Sequence, residues 1–293
     1  MAITISPLAG PLGAEIHGLD PERLHEGDRA RLREAFLEYG VLLARGLDDL
    51  TPLQHVELTR IFGEPSTHPI PTIRLKGHPE IIVLAGDADP SLAEGDPTGE
   101  EIVGQIPWHS DLTYTDSPSR GSLLLARVVP PELGQTGYID TAALYDALPD
   151  SLRTRIAGRR AIHSLGPIQD ALKSAARTDA EMEGGDAPAF EAVTHPLVHE
   201  HPESGRNVLN ISPAFLQGIE GLSASESDAL VADLKDFALQ DRFIYLHEWQ
   251  VGDLVFWDNW RTMHRATGHK RKHSRRMHRT TLAPGRIASE AAA

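Results

Sequence analysis

Two strings hold the residue types best suited to metal chemistry. One is Trp108-His109-Ser110-Asp111; the other, far along the chain, is Trp257-Asp258-Asn259 followed by Thr262-Met263-His264. If the first string is extended, His109 and Asp111 stand at i and i+2. They then point to one face, about 6–7 Å apart, which lets them chelate one divalent ion. A bare His-x-Asp is common and mostly amounts to a half-buried imidazole beside a solvated carboxylate. A distant second histidine changes that weighting. His109, Asp111 and His264 make a two-histidine, one-carboxylate set. Such a set holds one face of an octahedral metal and leaves three positions open, the geometry of non-haem Fe(II) centres that activate O2. Zinc more usually sits in a tetrahedral site with one open position.

A third feature is basic. Residues 265–279 carry seven Lys/Arg and no Asp/Glu, in a chain whose net charge is −14. Alone, such a run is mostly a solvated surface. In a strand, however, Arg275, Met277 and Arg279 share one face while Arg276 and His278 face the other way. Two inward arginines near a metal form an anion site, because guanidinium grips carboxylate or sulfonate bidentately. Lys270–Lys272 read as a surface loop.

These residues need elements to position them. The chain predicts a helix over 28–39 with Asp28 as N-cap and Gly40 as its stop, and a second helix over 52–62 ended by Gly63. The strongest helix runs over 223–239, where Ser223 and Glu226 form a capping box. Short apolar runs at 41–44, 81–84, 123–129, 254–257 and 277–282 read as strands, with others at 190–198, 208–211 and 243–249. Many short strands with few helices predict a mainly β protein, a sandwich or barrel core with helical decoration. Residues 85–104 form a long acidic loop suited to a lid, residues 166–190 an insertion, and residues 286–293 a frayed tail, within a single domain spanning 1–293.

The composition excludes several classes of function. The 293 residues include no cysteine, which rules out disulfides, iron–sulfur clusters, cysteine-ligated zinc and a thiol nucleophile. No Gly-rich phosphate loop is present. The acidic balance argues against a nucleic-acid surface. No run approaches the roughly 18–20 apolar residues of a membrane span, and the N-terminus lacks the features of a secretory signal. The expectation is a soluble cytoplasmic protein that associates as a homo-oligomer.

Taken together and in order, these strings resemble the taurine/2,4-D dioxygenases, which depend on Fe(II) and 2-oxoglutarate. The resemblance spans about residue 5 to residue 284. It rests on Phe62-Gly63, the Trp108–Asp111 string, Gly134-Gln135-Thr136, Thr194–Val198, His201–Arg206, Gly252-Asp253, Trp257–Asn259, Met263–Ala266 and Arg275–Thr281. The C-terminal half looks most like aryloxyalkanoate dioxygenases. The resemblance implies a double-stranded β-helix (jelly-roll) core, with His109, Asp111 and His264 as iron ligands. It implies Arg275 and Thr136 on the distal carboxylate of 2-oxoglutarate, and Arg279, His68 and Gln105 on the primary substrate. Where the family has a substrate-pocket Asn, Gln105 stands here, and Ile70-Pro71 replace an expected Tyr, so taurine itself is disfavoured.

The implied reaction uses O2, releases succinate and CO2, and hydroxylates an aliphatic C–H of a small organic anion: a sulfonate, sulfate ester or aryloxyalkanoate. Related halogenases lack the carboxylate ligand, so Asp111 points to hydroxylation. Two alternatives are a biosynthetic oxygenase acting on an amino acid or other metabolite, and a catalytically idle metal- or keto-acid-binding sensor. His195, His199 and His201 read as strand and turn residues, not ligands. Trp108, Trp257 and Trp260 would keep the site dry.

Overall fold

The structure, a computed structural model, describes residues 2–68, 70–85, 101–166 and 190–284. Residues 86–100 of the expected lid, 167–189 of the expected insertion and the tail 286–293 lie outside them.

Two sheets face each other as a jelly-roll sandwich. The larger has nine strands, with Val41–Ala44, Leu254–Asp258, Gly121–Val128, Arg276–Leu282 and His78–Ala85 adjacent in that order. The smaller has four: Tyr245–His247, Thr136–Asp140, Thr262–Lys270 and Ile102–His109. Val41–Ala44 and Leu254–Asp258 of the larger sheet are buried along their whole length because both faces are covered there. Leu42, Ala44, Leu123, Leu125, Leu254 and Phe256 point outward, into a core capped by the helices Glu26–Tyr39 and Pro52–Thr59. Val41, Leu43, Leu124, Ala126, Val255 and Trp257 point inward and meet Tyr138 of the smaller sheet. Outside the smaller sheet, Trp108, Ile139 and Met263 pack with Leu230 and Leu234 of the helix Ala224–Ala238. The functional residues lie between the two sheets.

The expected capping box forms, with the Ser223 side chain accepting from Glu226 N and the Glu226 side chain reaching back. At the first helix the expectation was off by a few residues. His25 is the N-cap, and Asp28 lies within the first turn, where its carboxylate accepts from Ile3 N at 3.3 Å. The second helix ends at Thr59, short of Phe62.

Two strands near the site run longer than the sequence implied. Ile102–His109 takes up the end of the expected loop, and Thr262–Lys270 runs nine residues through His264. Lys270 therefore closes a strand, and its ammonium meets Glu132 at 2.9 Å, while Arg271 meets Glu101 at 2.7 Å. Acidic partners thus neutralise that part of the basic run. Among the described residues, no helix is long and apolar enough to cross a membrane.

Candidate active site

His264 and His109 face each other across neighbouring antiparallel strands. The ladder is irregular here, since Ala266 pairs with Ile106, so the His109 strand carries one extra residue. This bulge shifts the phase of the alternation. Ile106 and His109 therefore both face the interior although they are an odd number of positions apart, and Trp108 turns outward beneath the Arg265 guanidinium.

Asp111 arrives differently from the expectation. The strand ends at His109, and Asp111 sits in the turn that follows, beside Leu112 at φ 58°. The left-handed conformation is costly for a leucine and is held by its surroundings. The side chain of Asn259 accepts from Asp111 N at 2.7 Å and donates to Asp111 O at 2.9 Å and Ser119 O at 3.0 Å. Ser110 is tied on both sides, with its N–H on Ser212 Oγ at 3.0 Å and its hydroxyl on Thr262 O at 2.9 Å.

The turn places Asp111 beside both imidazoles. Its carboxylate lies 3.7 Å from His109 Nε2 and 3.8 Å from His264 Nε2, and one donor atom from each of the three residues falls within 4.8 Å of the others. All three residues are buried. His109 Nδ1 lies 2.8 Å from the Pro107 carbonyl, which fixes the proton there and turns the Nε2 lone pair inward. Burial, then His109, holds the His264 pKa well below its ordinary value, so that imidazole is neutral. Burial works to raise the Asp111 pKa, but Arg279, then His264 and His109, outweigh it and hold the carboxyl well below the usual range. Two imidazoles and one carboxylate, converging on one buried point, fit a divalent metal of the Fe(II) type.

The triad borders a cavity between the two sheets. Leu84, Ile106, Leu124, Ala266 and Trp257 supply its apolar wall, and Thr136, His269, Arg275 and Arg279 its polar one. Arg279 donates through Nη1 to both Asp111 oxygens, at 2.9 and 3.1 Å. Its Nε is buried and has no hydrogen-bond partner among the described residues. Arg275 immediately precedes its strand and passes Gly134, whose φ of +77° and close contact with Pro130 leave no room for a side chain.

The remaining expected residues fall at varied places. His68 is buried, and its Nδ1 accepts from Ile70 N at 3.1 Å. Burial, then Arg279, pushes its pKa down to about 3, with Asp111 opposing, so it stands within electrostatic reach of the site. Gln105 lies between the lining residues Gly104 and Ile106 and pairs across the ladder with Thr267.

Only Trp257 of the three tryptophans lines the cavity; Trp260 lies under Arg120. The histidines at 195, 199 and 201 brace the turns. His195 Nε2 donates to Thr113 O and Thr115 O, His199 Nε2 to Trp260 O, and His201 Nε2 to Asp258. Asp258 also pairs with Arg120 at 2.6 Å, so this buried network supports the Asn259 turn from behind. Roles for Asn259, Arg120 and His269 were missed. The one usable signal was an asparagine directly after a buried strand, since its amide carries a donor and an acceptor that match a peptide.

Residues 4–281 match the family described as taurine catabolism dioxygenase TauD, TfdA family, and the chain belongs to that family. It is 34% identical to the (S)-phenoxypropionate/alpha-ketoglutarate-dioxygenase of Sphingobium herbicidovorans over 91% of this chain and 90% of that one. It is 33% identical to the alpha-ketoglutarate-dependent 2,4-dichlorophenoxyacetate dioxygenase of Cupriavidus pinatubonensis over 96% and 98%. Among solved structures, a taurine dioxygenase from Burkholderia xenovorans superposes with a TM-score of 0.77 at 32% identity, over 97% of this chain and 90% of that one. The protein is accordingly a 2-oxoglutarate-dependent dioxygenase that uses Fe(II) and O2.

Proposed function

We propose that the enzyme hydroxylates an aliphatic C–H of a small organic anion, with aryloxyalkanoates as the leading substrate class. In this reading His109, Asp111 and His264 hold the iron. Arg275 and Thr136 take the distal carboxylate of 2-oxoglutarate, and Arg279 takes the anionic group of the substrate.

The carrying observation is Arg279. It lies on the cavity wall beside the triad, and its buried Nε–H lacks an acceptor among the described residues. An unsatisfied buried donor costs about 1–3 kcal/mol, which a substrate carboxylate would offset. His68 sits within the fields of Arg279 and Asp111, and its Nδ1 accepts from Ile70 N, which leaves Nε2 to carry the ring proton. Tyr114, Phe190 and Phe215 pack edge to face, with Phe215 5.6 Å from the His109 ring, a setting suited to an aryl group. The phenoxypropionate and dichlorophenoxyacetate relatives support the same class.

The bound iron supplies the O2-dependent oxidation that is coupled to release of succinate and CO2. The chain's own part is to grip the anion so that a defined carbon faces the metal, and to keep bulk water out with Leu84, Leu124 and Trp257. Hydroxylation at a carbon bearing an aryloxy group gives a hemiketal-type product that collapses to a phenol and a carbonyl compound.

The test is a panel of aryloxyalkanoates, sulfonates, sulfate esters and amino acids, scored by succinate together with product. We expect phenol release from aryloxyalkanoates. Arg279→Ala should lose product while its Kd for 2-oxoglutarate stays within about threefold. Equal turnover of a neutral aryl ether by wild type and Arg279→Ala would remove the anion argument.

A further inference from the structure

We propose that Trp249 is a positioning residue for the cosubstrate. Its indole N–H fixes the Thr136 hydroxyl as a donor into the cavity and so favours keto acids that carry a distal carboxylate. This rests on the reading that Thr136 and Arg275 receive that carboxylate.

The observation is a single hydrogen bond with a forced polarity. Trp249 Nε1 donates to Thr136 Oγ1 at 3.0 Å, and both residues are buried. An indole nitrogen can only donate, whereas a hydroxyl has one donor hydrogen and two acceptor lone pairs. With one lone pair engaged by the indole, the Thr136 hydrogen must point elsewhere. Thr136 lines the cavity together with Arg275, so the hydrogen is presented to whatever lies beside that guanidinium. A carboxylate accepts from both; a methyl group accepts from neither.

Trp249 is itself held in place. The His247 ring stands against it at 4.4 Å and 88°. The Tyr245 hydroxyl lies 3.0 Å from His247 Nδ1, and His247 Nε2 is 3.1 Å from Asp253. Asp253 is fixed by Arg45 at 2.8 Å and by Gln250 N at 2.9 Å. A line of contacts therefore runs from a half-exposed arginine to the hydroxyl, and of the residues named Asp253, His247, Trp249 and Thr136 are buried. The arrangement gives a role to the Gly252-Asp253 turn, which the triad and the arginines leave without one. Gly252, at φ +81°, packs so closely on Asp48 that a Cβ would fall 2.7 Å from its backbone nitrogen.

The experiment measures binding, not turnover. Mn(II)-loaded protein is titrated calorimetrically with 2-oxoglutarate and, by competition, with 2-oxopentanoate, which keeps the five-carbon chain and ends in a methyl group. Trp249→Phe and Thr136→Val should each weaken 2-oxoglutarate by about 3- to 10-fold, the worth of one hydrogen bond. Neither should change 2-oxopentanoate by more than about twofold. The double variant should be no weaker than Thr136→Val alone, because both changes remove the same donor. Thr136→Ser should retain wild-type affinity.

If Thr136→Val weakens 2-oxoglutarate but Trp249→Phe does not, the positioning role is overturned while the underlying site stands. Equal weakening of both ligands by Trp249→Phe would mark general damage to the cavity and also overturn it. If Thr136→Val itself has no effect, the reading of the distal-carboxylate site fails, and this proposal with it. Should Trp249→Phe not fold, site-specific replacement of Trp249 by 3-benzothienylalanine keeps the ring shape without the N–H and gives the same two outcomes.

Discussion

Asn259→Ala tests whether one side chain sets the position of the carboxylate ligand. Asn259 is 3% exposed and makes three hydrogen bonds of 2.7–3.0 Å to the peptide groups of Asp111 and Ser119. Truncation leaves the N–H and C=O of Asp111 without partners in a buried turn. Each unsatisfied group costs about 1–3 kcal/mol, and water entering the vacated space recovers part, so a net loss of about 2–4 kcal/mol is expected. For a chain of this size that corresponds to a fall in Tm of roughly 3–7 °C.

The more diagnostic effect is on the metal. With the turn released, Asp111 no longer starts 3.7–3.8 Å from both imidazoles. Loss of a group that orients a ligand typically costs about 10- to 100-fold in metal affinity. Titration of apoprotein with Mn(II), followed by calorimetry below the variant's Tm, reads this directly. Asn259→Asp is the sharper partner. It keeps the acceptor for Asp111 N but sets a carboxylate oxygen against two carbonyls, so it should bind metal no better than Asn259→Ala. A folded Asn259→Ala protein with wild-type metal affinity would refute the reasoning.

Two further outcomes are expected. Arg275→Gln should weaken 2-oxoglutarate by at least about 30-fold in the same calorimetric assay, from the roughly 2–5 kcal/mol lost with a buried charged pair. Arg276→Gln, one residue on and facing the other way, should stay near wild type; the reverse result would put the strand phase in error by one residue. Acid should destabilise the fold through buried neutral histidines. Burial pushes His55 down to about 3, and His163 and His199 to about 4. The unfolded chain takes up these protons near pH 6.5, before the folded one does. Stability is therefore full above that pH and falls as the pH drops from about 6.5 toward 4, by about 2 kcal/mol per imidazole at pH 5. Urea unfolding at pH 7.5 and pH 5 measures this, and equal stability at both would contradict the burial of neutral imidazoles.

The sequence by itself determined what depends on composition and local periodicity. Runs such as Val41–Ala44 and Leu254–Trp257 are apolar at every position, so they must be strands covered on both faces, and they are. The Ser223–Glu226 box set the start of its helix because capping is a matter of four consecutive residues. The triad could be named from residue type and order, since few side chains suit an Fe(II)-type metal. Only the tertiary structure decided how these pieces meet. The bulge between Ile106 and His109 changes the phase of a strand by one residue, and nothing in its apolar pattern marks where. Asp111 reaches the imidazoles through a turn held by Asn259, a partner 148 residues away. The polarity of the Thr136 hydroxyl depends on an indole 113 residues along the chain. A hydrogen bond links two atoms in space, and its partner is fixed by chain topology. Periodicity reports that a side chain is buried; the packed sheets decide what it is buried against.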